Sequence, residues 1–186
     1  TRTLSQRNEL LKQYDHMAHD AWESHMFAWD IKLAELGATI VKTRTNFLAK
    51  SNLRLSELYS QLADSEHEIM TRYQDSSYSK SVDALQQTLV EKLERTRQSD
   101  ALRGYTSIGP HRDDFSLLLD THPASETASR GELRTLMLAF KLLEVELQEH
   151  HSQRKPLILL DDVFSELDIT REQKLIEALR PFQTVI

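Results

Sequence analysis

The 186-residue sequence has no cysteine, which excludes disulfides, thiolate zinc sites and a cysteine nucleophile. Its longest purely apolar run, Leu157 to Leu160, is far too short to cross a bilayer. Thr1 to Leu11 is polar and charged, without the apolar core of a signal peptide. With no membrane association and a composition compatible with a reducing compartment, a cytoplasmic location is expected. Four glycines and four prolines predict long regular elements joined by few tight turns. No stretch reads G-x-x-x-x-G-K-[ST], and no Gly-rich loop is present that could wrap a triphosphate. The formal net charge of -6 excludes the whole chain as an electrostatic glove for DNA. A nucleic-acid role then needs a local basic patch or a partner. The chain starts mid-pattern at Thr1 and stops inside an apolar run at Val185-Ile186, so it reads as an excised piece.

Hydrophobic residues make up 39% and charged residues 28%, as in a soluble, helix-rich domain. A short helix is predicted from about Ser5 to Met17. Asp20 with Glu23 three residues on is a candidate N-cap and capping box. From there Trp22, Met26, Trp29, Leu33, Leu36 and Ile40 step by four and three, and Val41, Leu48, Leu55 and Leu62 follow seven apart. This spacing predicts one long helix packing along another, with Gly37 and Ser51-Asn52 as candidate breaks. Glu66 to Gln74 alternates loosely as a strand, Asp75 to Ser79 is turn-like, and Lys80 to Ser99 is helical.

The character changes at Gly104. Tyr105–Ile108 and Asp114–Leu119 read as strands around Gly109-Pro110, followed by a polar loop from Asp120 to Ala128. Ser129 is a good N-cap for a helix reaching about His150. Leu157 to Leu160 is apolar on both faces, as a buried parallel strand would be. A helix from Ile169 to Leu179 and a strand at Gln183–Ile186 complete a strand-helix-strand unit. The fold expected is α/β: a helical, coiled-coil-like arm over residues 1–100, and a partial lobe of mixed sheet and helices over residues 101–186.

The chemistry concentrates in three strings. Leu157-Ile158-Leu159-Leu160 runs straight into Asp161-Asp162, and two adjacent ionised carboxylates repel unless solvated or paired. The carboxyl end of a strand is where open α/β sheets bind ligands, and a divalent cation there would offset both charges. In phosphoryl transfer one such aspartate holds magnesium, and its neighbour can orient or deprotonate the attacking water. Ser129-Arg130-Gly131-Glu132 puts a hydroxyl, free amides, a glycine and a guanidinium at a helix N-terminus, either a plain cap or an anion site. Ser165-Glu166-Leu167-Asp168 ends in a cap for the helix at Ile169.

In this order the strings resemble the signature motif, Walker B strand and D-loop of ABC-type ATPase heads, and their wording resembles the RecF family of recombination mediators. Gly109-Pro110-His111-Arg112-Asp113-Asp114 resembles that family's motif where the chain returns from the arm. Trp29-Asp30 with Leu33-Ala34-Glu35-Leu36-Gly37-Ala38 resembles its arm helix. The resemblance covers nearly all 186 residues. It implies ATP and magnesium as cofactors and an ATP-dependent homodimer acting at single-strand/double-strand DNA junctions with RecO and RecR. Asp161 becomes the magnesium carboxylate and Asp162 the water-activating one. Ser129, Arg130, Gly131 and Glu132 face the triphosphate of the opposite protomer, and Ser165, Glu166, Leu167 and Asp168 line the dimer interface.

The family pattern is not matched throughout. Glu132 stands where the signature usually has glutamine, so its charge needs neutralising, with Arg130 or Arg134 as candidates. The phosphate-binding loop is absent, so this piece alone should bind ATP poorly or not at all. For Gly109 to Asp114 a salt-bridged turn and a DNA or partner contact both stand. A second functional class also remains: an interaction scaffold whose arm docks proteins while its nucleotide residues are idle. A transporter ATPase subunit is disfavoured, because Val163 follows Asp162 where such subunits carry Glu-Pro after the Walker B aspartate.

Overall fold

The apolar spacing that opens at Trp22 produces the longest helix of the molecule. A computed structural model describes residues 2–63, 65–74, 81–164 and 167–185. The elements run α1 (Arg2–Leu11), a 3₁₀ turn (Tyr14–His16), α2 (His19–Ala63), β1 (Ile69–Tyr73), α3 (Val82–Arg103), β2 (Phe115–Leu119), β3 (His122–Pro123), α4 (Ala124–Thr127), α5 (Arg130–Ser152), β4 (Leu157–Leu159), α6 (Ile169–Leu179) and β5 (Gln183–Val185). The protein is mostly helical, with a three-stranded sheet ordered β1-β2-β3 and a parallel pair β4-β5. Contacts divide it into two compact units that interleave along the chain: Thr1–Leu48 with Tyr73–Phe115, and Ala49–Arg72 with Ser116–Ile186. The sequence suggested a linear boundary near residue 101. The units are not linear, because α2 contributes its first part to one and its last turns to the other.

In the first unit, Leu10, Leu11, Trp22 and Met26 form one apolar cluster, and Ala34, Ala38, Val41, Leu48, Tyr73, Leu85, Leu89 and Leu93 form another. The predicted stripe is shifted here, since Leu36 and Ile40 are exposed while Asp30, Ala34 and Ala38 are buried. The helix needs no break at Gly37. A side chain there would press on Leu89 and Pro110, at 3.1 and 3.4 Å from its first carbon, so glycine permits the close approach. Asp20 does not cap α2, which begins at His19 and keeps Asp20 in its first turn, where a negative charge suits the helix dipole. Helix α1 ends at Leu11, short of Met17. The Leu10 carbonyl accepts the Gln13 amide at 3.1 Å and Trp22 Nε1 at 2.9 Å, tightening the chain into a turn.

Buried charges hold this unit together. Arg7 donates to Asp30 at 2.7 Å, to Asp100 at 3.1 Å and to Thr106 at 2.7 Å, and Arg97 donates to Asp30 at 2.7 Å and also pairs with Glu23. The same network explains why Tyr105–Ile108 is not a strand. The Thr106 amide bonds Asn8 Oδ1 and the Ser107 amide bonds Asp100 Oδ1, so side chains satisfy the backbone that a ladder would have used. Gly109 to Asp114 forms a turn closed by Arg112 N to Gly109 O at 2.8 Å. Arg112 lies over the Tyr105 ring, and Asp113 accepts from the Tyr73 hydroxyl.

In the second unit the core gathers Leu55, Leu58, Tyr59, Leu62, Ile69, Leu136, Ala139, Leu143, Ile158 and Leu175. Asn52 stays helical because its amide is committed to β1: Oδ1 accepts the Thr71 amide at 2.8 Å and Nδ2 donates to the Thr71 carbonyl at 3.2 Å. Arg54 grips Glu146 of α5 with two bonds of 2.8 and 2.6 Å. Strand β4 buries only Ile158, whereas Leu157 and Leu159 are 55% and 72% exposed, so the expected double burial does not hold for this chain. Its one covered face is the one packed on the unit's core. Within the described residues no helix is long and apolar enough to cross a membrane.

Truncating Arg7 to Met should leave Asp30 and Asp100 short of a buried countercharge, at a cost of about 3–5 kcal/mol. Urea unfolding of the 186-residue chain checks this, and a loss below about 1 kcal/mol would contradict a net role for the network.

Candidate functional site

Strand β4 pairs in parallel with β5, and the pairing extends through Leu160 N to Val185 O at 2.9 Å. The chain leaves the sheet at Asp161 and Asp162, both exposed. Asp162 has φ +52°, a left-handed conformation that aspartate tolerates better than most residues but that still stores strain. Both carboxylates line a hollow of about 450 Å³ with Leu133, Arg134, Met137 and Lys141 of α5. Leu167 lines it too, while Ser165 and Glu166 lie outside the described residues.

The donor chemistry suits magnesium but not a protein cage. Among the described residues no group of three or more histidines or carboxylates is arranged to hold a metal. Adjacent aspartates fit an ion that takes one or two carboxylates and completes its shell with phosphate and water oxygens.

Helix α5 opens as its sequence predicts. Ser129 accepts the Glu132 amide at 3.3 Å, and Glu132 Oε2 accepts the Ser129 amide at 2.7 Å, a complete capping box. The first intrahelical bond is Leu133 N to Ser129 O at 2.9 Å. The Arg130 and Gly131 amides precede it and point out of the N-terminus. These two N–H groups and the positive end of the dipole make an anion-attracting turn.

His67 Nε2 lies 3.8 Å from Glu132 Oε1, and His67 Nδ1 also pairs with Asp120. The Ser129 hydrogen bonds, helped by the charges of His67 and Arg171, hold the Glu132 carboxyl below its ordinary value. Asp120 is lowered in the same way, first by the Glu68 amide and then by His67. Asp120 and Thr121 both adopt positive φ, 48° and 75°, in the two-residue turn that sets the β2-β3 register Leu119↔His122. Tyr59 lies in the buried floor of the unit, and its hydroxyl makes no hydrogen bond among the described residues. Burial raises its pKa, with Glu132 contributing.

Asp168 caps α6 by accepting the Arg171 amide at 2.9 Å, and its other oxygen lies 3.4 Å from Arg171 Nη1. That guanidinium rests against Gly131, where a side chain's first carbon would lie only 2.9 Å from Nη1. Two groupings therefore form around α5: its first turn with Asp168 and Arg171, and its next turns with Asp161, Asp162 and Leu167. Sequence reading named the motif residues but missed His67, Asp120, Tyr59 and Arg171. His67 and Asp120 are 53 positions apart, and no periodicity connects them.

The lowered Glu132 carboxyl stabilises the fold fully above its ordinary value of 4.5, and this contribution fades as pH falls through the depressed value. Glu132→Gln should be less stable than the parent at neutral pH, with the gap closing in acid. Urea midpoints measured from pH 7 downward check this, and a gap independent of pH would contradict it.

No family model matches the chain. Curated relatives do. It is 35% identical over 188 residues to the DNA replication and repair protein RecF of Caldanaerobacter subterraneus, covering 100% of this chain and 50% of that protein. Against RecF of Acetivibrio thermocellus the identity is 36% over 195 residues, with the same coverage. Its fold matches the solved structure of the recombination mediator protein RecF-ATP in the RecFOR pathway with a TM-score of 0.84 and 34% identity, covering 100% of this chain and 49% of that one. The corresponding RecF-ATPrS structure gives a TM-score of 0.81 at 33% identity, covering 100% and 50%. The chain thus spans about half the length of the relatives it matches. By sequence along its whole length and by fold, it is similar to one half of the RecF proteins.

Proposed function

We propose that this chain supplies one half of a composite ATP site in a DNA-binding recombination mediator that acts in DNA repair and at replication gaps. The observation that carries the reading is the strand-end pair: Asp161 and Asp162, with Asp162 held in a left-handed conformation, face a hollow shared with Arg134 and Lys141. A left-handed aspartate stores strain, and two adjacent carboxylates are eased by a cation bound between them and a phosphate. The relatives' names support the rest, since they are DNA replication and repair proteins and the matched structures carry ATP or an analogue.

In this reading Asp161 would hold magnesium, which when bound screens the triphosphate and draws charge from the leaving oxygen. Asp162 would orient a water and take its proton as the water oxygen bonds to the terminal phosphorus and the bridging P–O bond breaks toward ADP. Ser129 and the amides of Arg130 and Gly131 would meet the triphosphate held by an opposing protomer, with the Glu132 carboxylate held by Ser129 in the same turn. Ser165 to Asp168 would lie along the same dimer interface. Nucleotide thereby clamps two protomers, because its binding energy is fully realised only when both halves meet. The clamp would close at single-strand/double-strand DNA junctions and, with RecO and RecR, help load recombinase in the cytoplasm. Residues 1–100 would serve as the arm and 101–186 as part of the ATPase head.

One observation favours a second reading, a docking scaffold with an idle nucleotide site: Leu36, Ile40 and Phe47 lie exposed along α2 at 42%, 44% and 49%.

Joined to the N-terminal half that RecF relatives carry, the chain should hydrolyse ATP faster with gapped DNA. Asp162→Asn should lower the rate by roughly 10²–10⁴-fold while leaving ATP binding in place. An assembled protein that neither binds nor hydrolyses ATP would overturn the reading and leave the scaffold.

A further inference from the structure

Arg171 belongs to no motif, yet it touches both helix N-termini of the candidate site. Its backbone amide donates to Asp168 Oδ1 at 2.9 Å, and its guanidinium returns to Asp168 Oδ2 at 3.4 Å. The same guanidinium fills the space beside Gly131, so close that a methyl group there would meet Nη1 at 2.9 Å. Its side chain is 27% exposed, which leaves it screened but within reach of the surface. The pairing is specific in size and charge. A side chain at 131 would displace the fork from this place, and the Arg171 side chain is long enough to reach from the first turn of α6 to the first turn of α5.

Charge sharpens the point. A guanidinium beside a helix N-terminus opposes the dipole, so its position needs local carboxylates. Asp168 provides one, and Glu132 provides the field of another from the adjacent turn. Glu132 in turn is held by Ser129, with His67 on its far side. The chain of contacts Asp168–Arg171–Gly131–Glu132–His67 therefore ties the end of the D-loop string to the first turn of the signature helix.

We infer that Arg171 is a positioning residue that fixes the first turn of α5 against the first turn of α6, so that the two dimer-facing segments move as one body. This rests on the composite-site reading above for its consequence, but the positioning itself is a property of this chain. A partner protomer's nucleotide would then meet a single preset surface instead of two independently mobile turns. The cost of ordering them on binding would already be met.

The test has two arms. On the chain itself, amide hydrogen exchange over residues 130–134 is compared between the parent, Arg171→Gln and Arg171→Lys. Arg171→Gln should raise exchange there by roughly fivefold or more, leaving the middle of α5 unchanged, and Arg171→Lys should recover part of the protection. Unchanged exchange in Arg171→Gln overturns the inference whatever the assembled protein does. In the protein completed by its N-terminal half, ATP-dependent dimerisation is followed by sedimentation in an Asp162→Asn background. Arg171→Gln should weaken the dimer roughly tenfold while single-protomer ATP affinity stays within about twofold. An equal loss in both would make Arg171 a general structural residue and reject the positioning role. If Arg171 alone suffices for the exchange effect but the parent fails to dimerise on ATP, the composite-site reading falls and the positioning stands.

Discussion

The volume beside Gly131 is filled by the guanidinium of Arg171, which lies between the first turns of α5 and α6. Helix α5 offers an anion-attracting turn, and α6 begins just after the residues that follow the strand-end carboxylates. Each helix could form with its own cap alone. What relates them is a shared apolar core, Leu136, Ala139 and Leu143 of α5 with Leu175 and Leu179 of α6, and the Arg171 guanidinium lies between their first turns. A larger residue at 131 would displace the cation, and a shorter one at 171 would not reach.

A different solution operates in the first unit, where charge is buried. Arg7, Arg97, Asp30 and Asp100 join α1, α2 and α3 through side chains that are almost fully enclosed, with Glu23 pairing at the edge of the network. Apolar residues of similar volume could give comparable stability. Ion pairs with fixed hydrogen-bond geometry admit fewer registers, because sliding α2 by one turn would strand Asp30 among aliphatic side chains. The helical part of the chain is thus specified by a few polar contacts laid across Ala34, Ala38 and Gly37, whose small size lets the helices approach.

Much of this was legible from spacing. The long helix, the helix after Ser129, its cap, the strand before Asp161 and the cap at Asp168 all follow from periodicity and local hydrogen-bond chemistry. Errors arose where distant groups decided the outcome. Tyr105–Ile108 has strand-like composition, but Asn8 and Asp100 take its amides. Leu36 and Ile40 fit an apolar stripe by type, yet a buried aspartate and two alanines define the packed face. At the site, Asp161 and Asp162 announce themselves because carboxylates after an apolar strand are unusual. His67 and Arg171 carry no such signal, since their roles exist only once the β2-β3 turn, α5 and α6 have come together.

If, as proposed, each ATP site is built from two protomers, two inactive variants should complement each other when mixed. One is Asp162→Asn, which disables the strand-end carboxylate; the other is Ser129→Arg, which blocks the signature turn. Each alone should be inactive in the completed protein. Mixed in equal amounts, half the dimers pair one of each, and such a dimer holds one site with both halves intact. Activity should then return to roughly a quarter of the parent level. A mixture as inactive as its components would contradict a site shared between protomers.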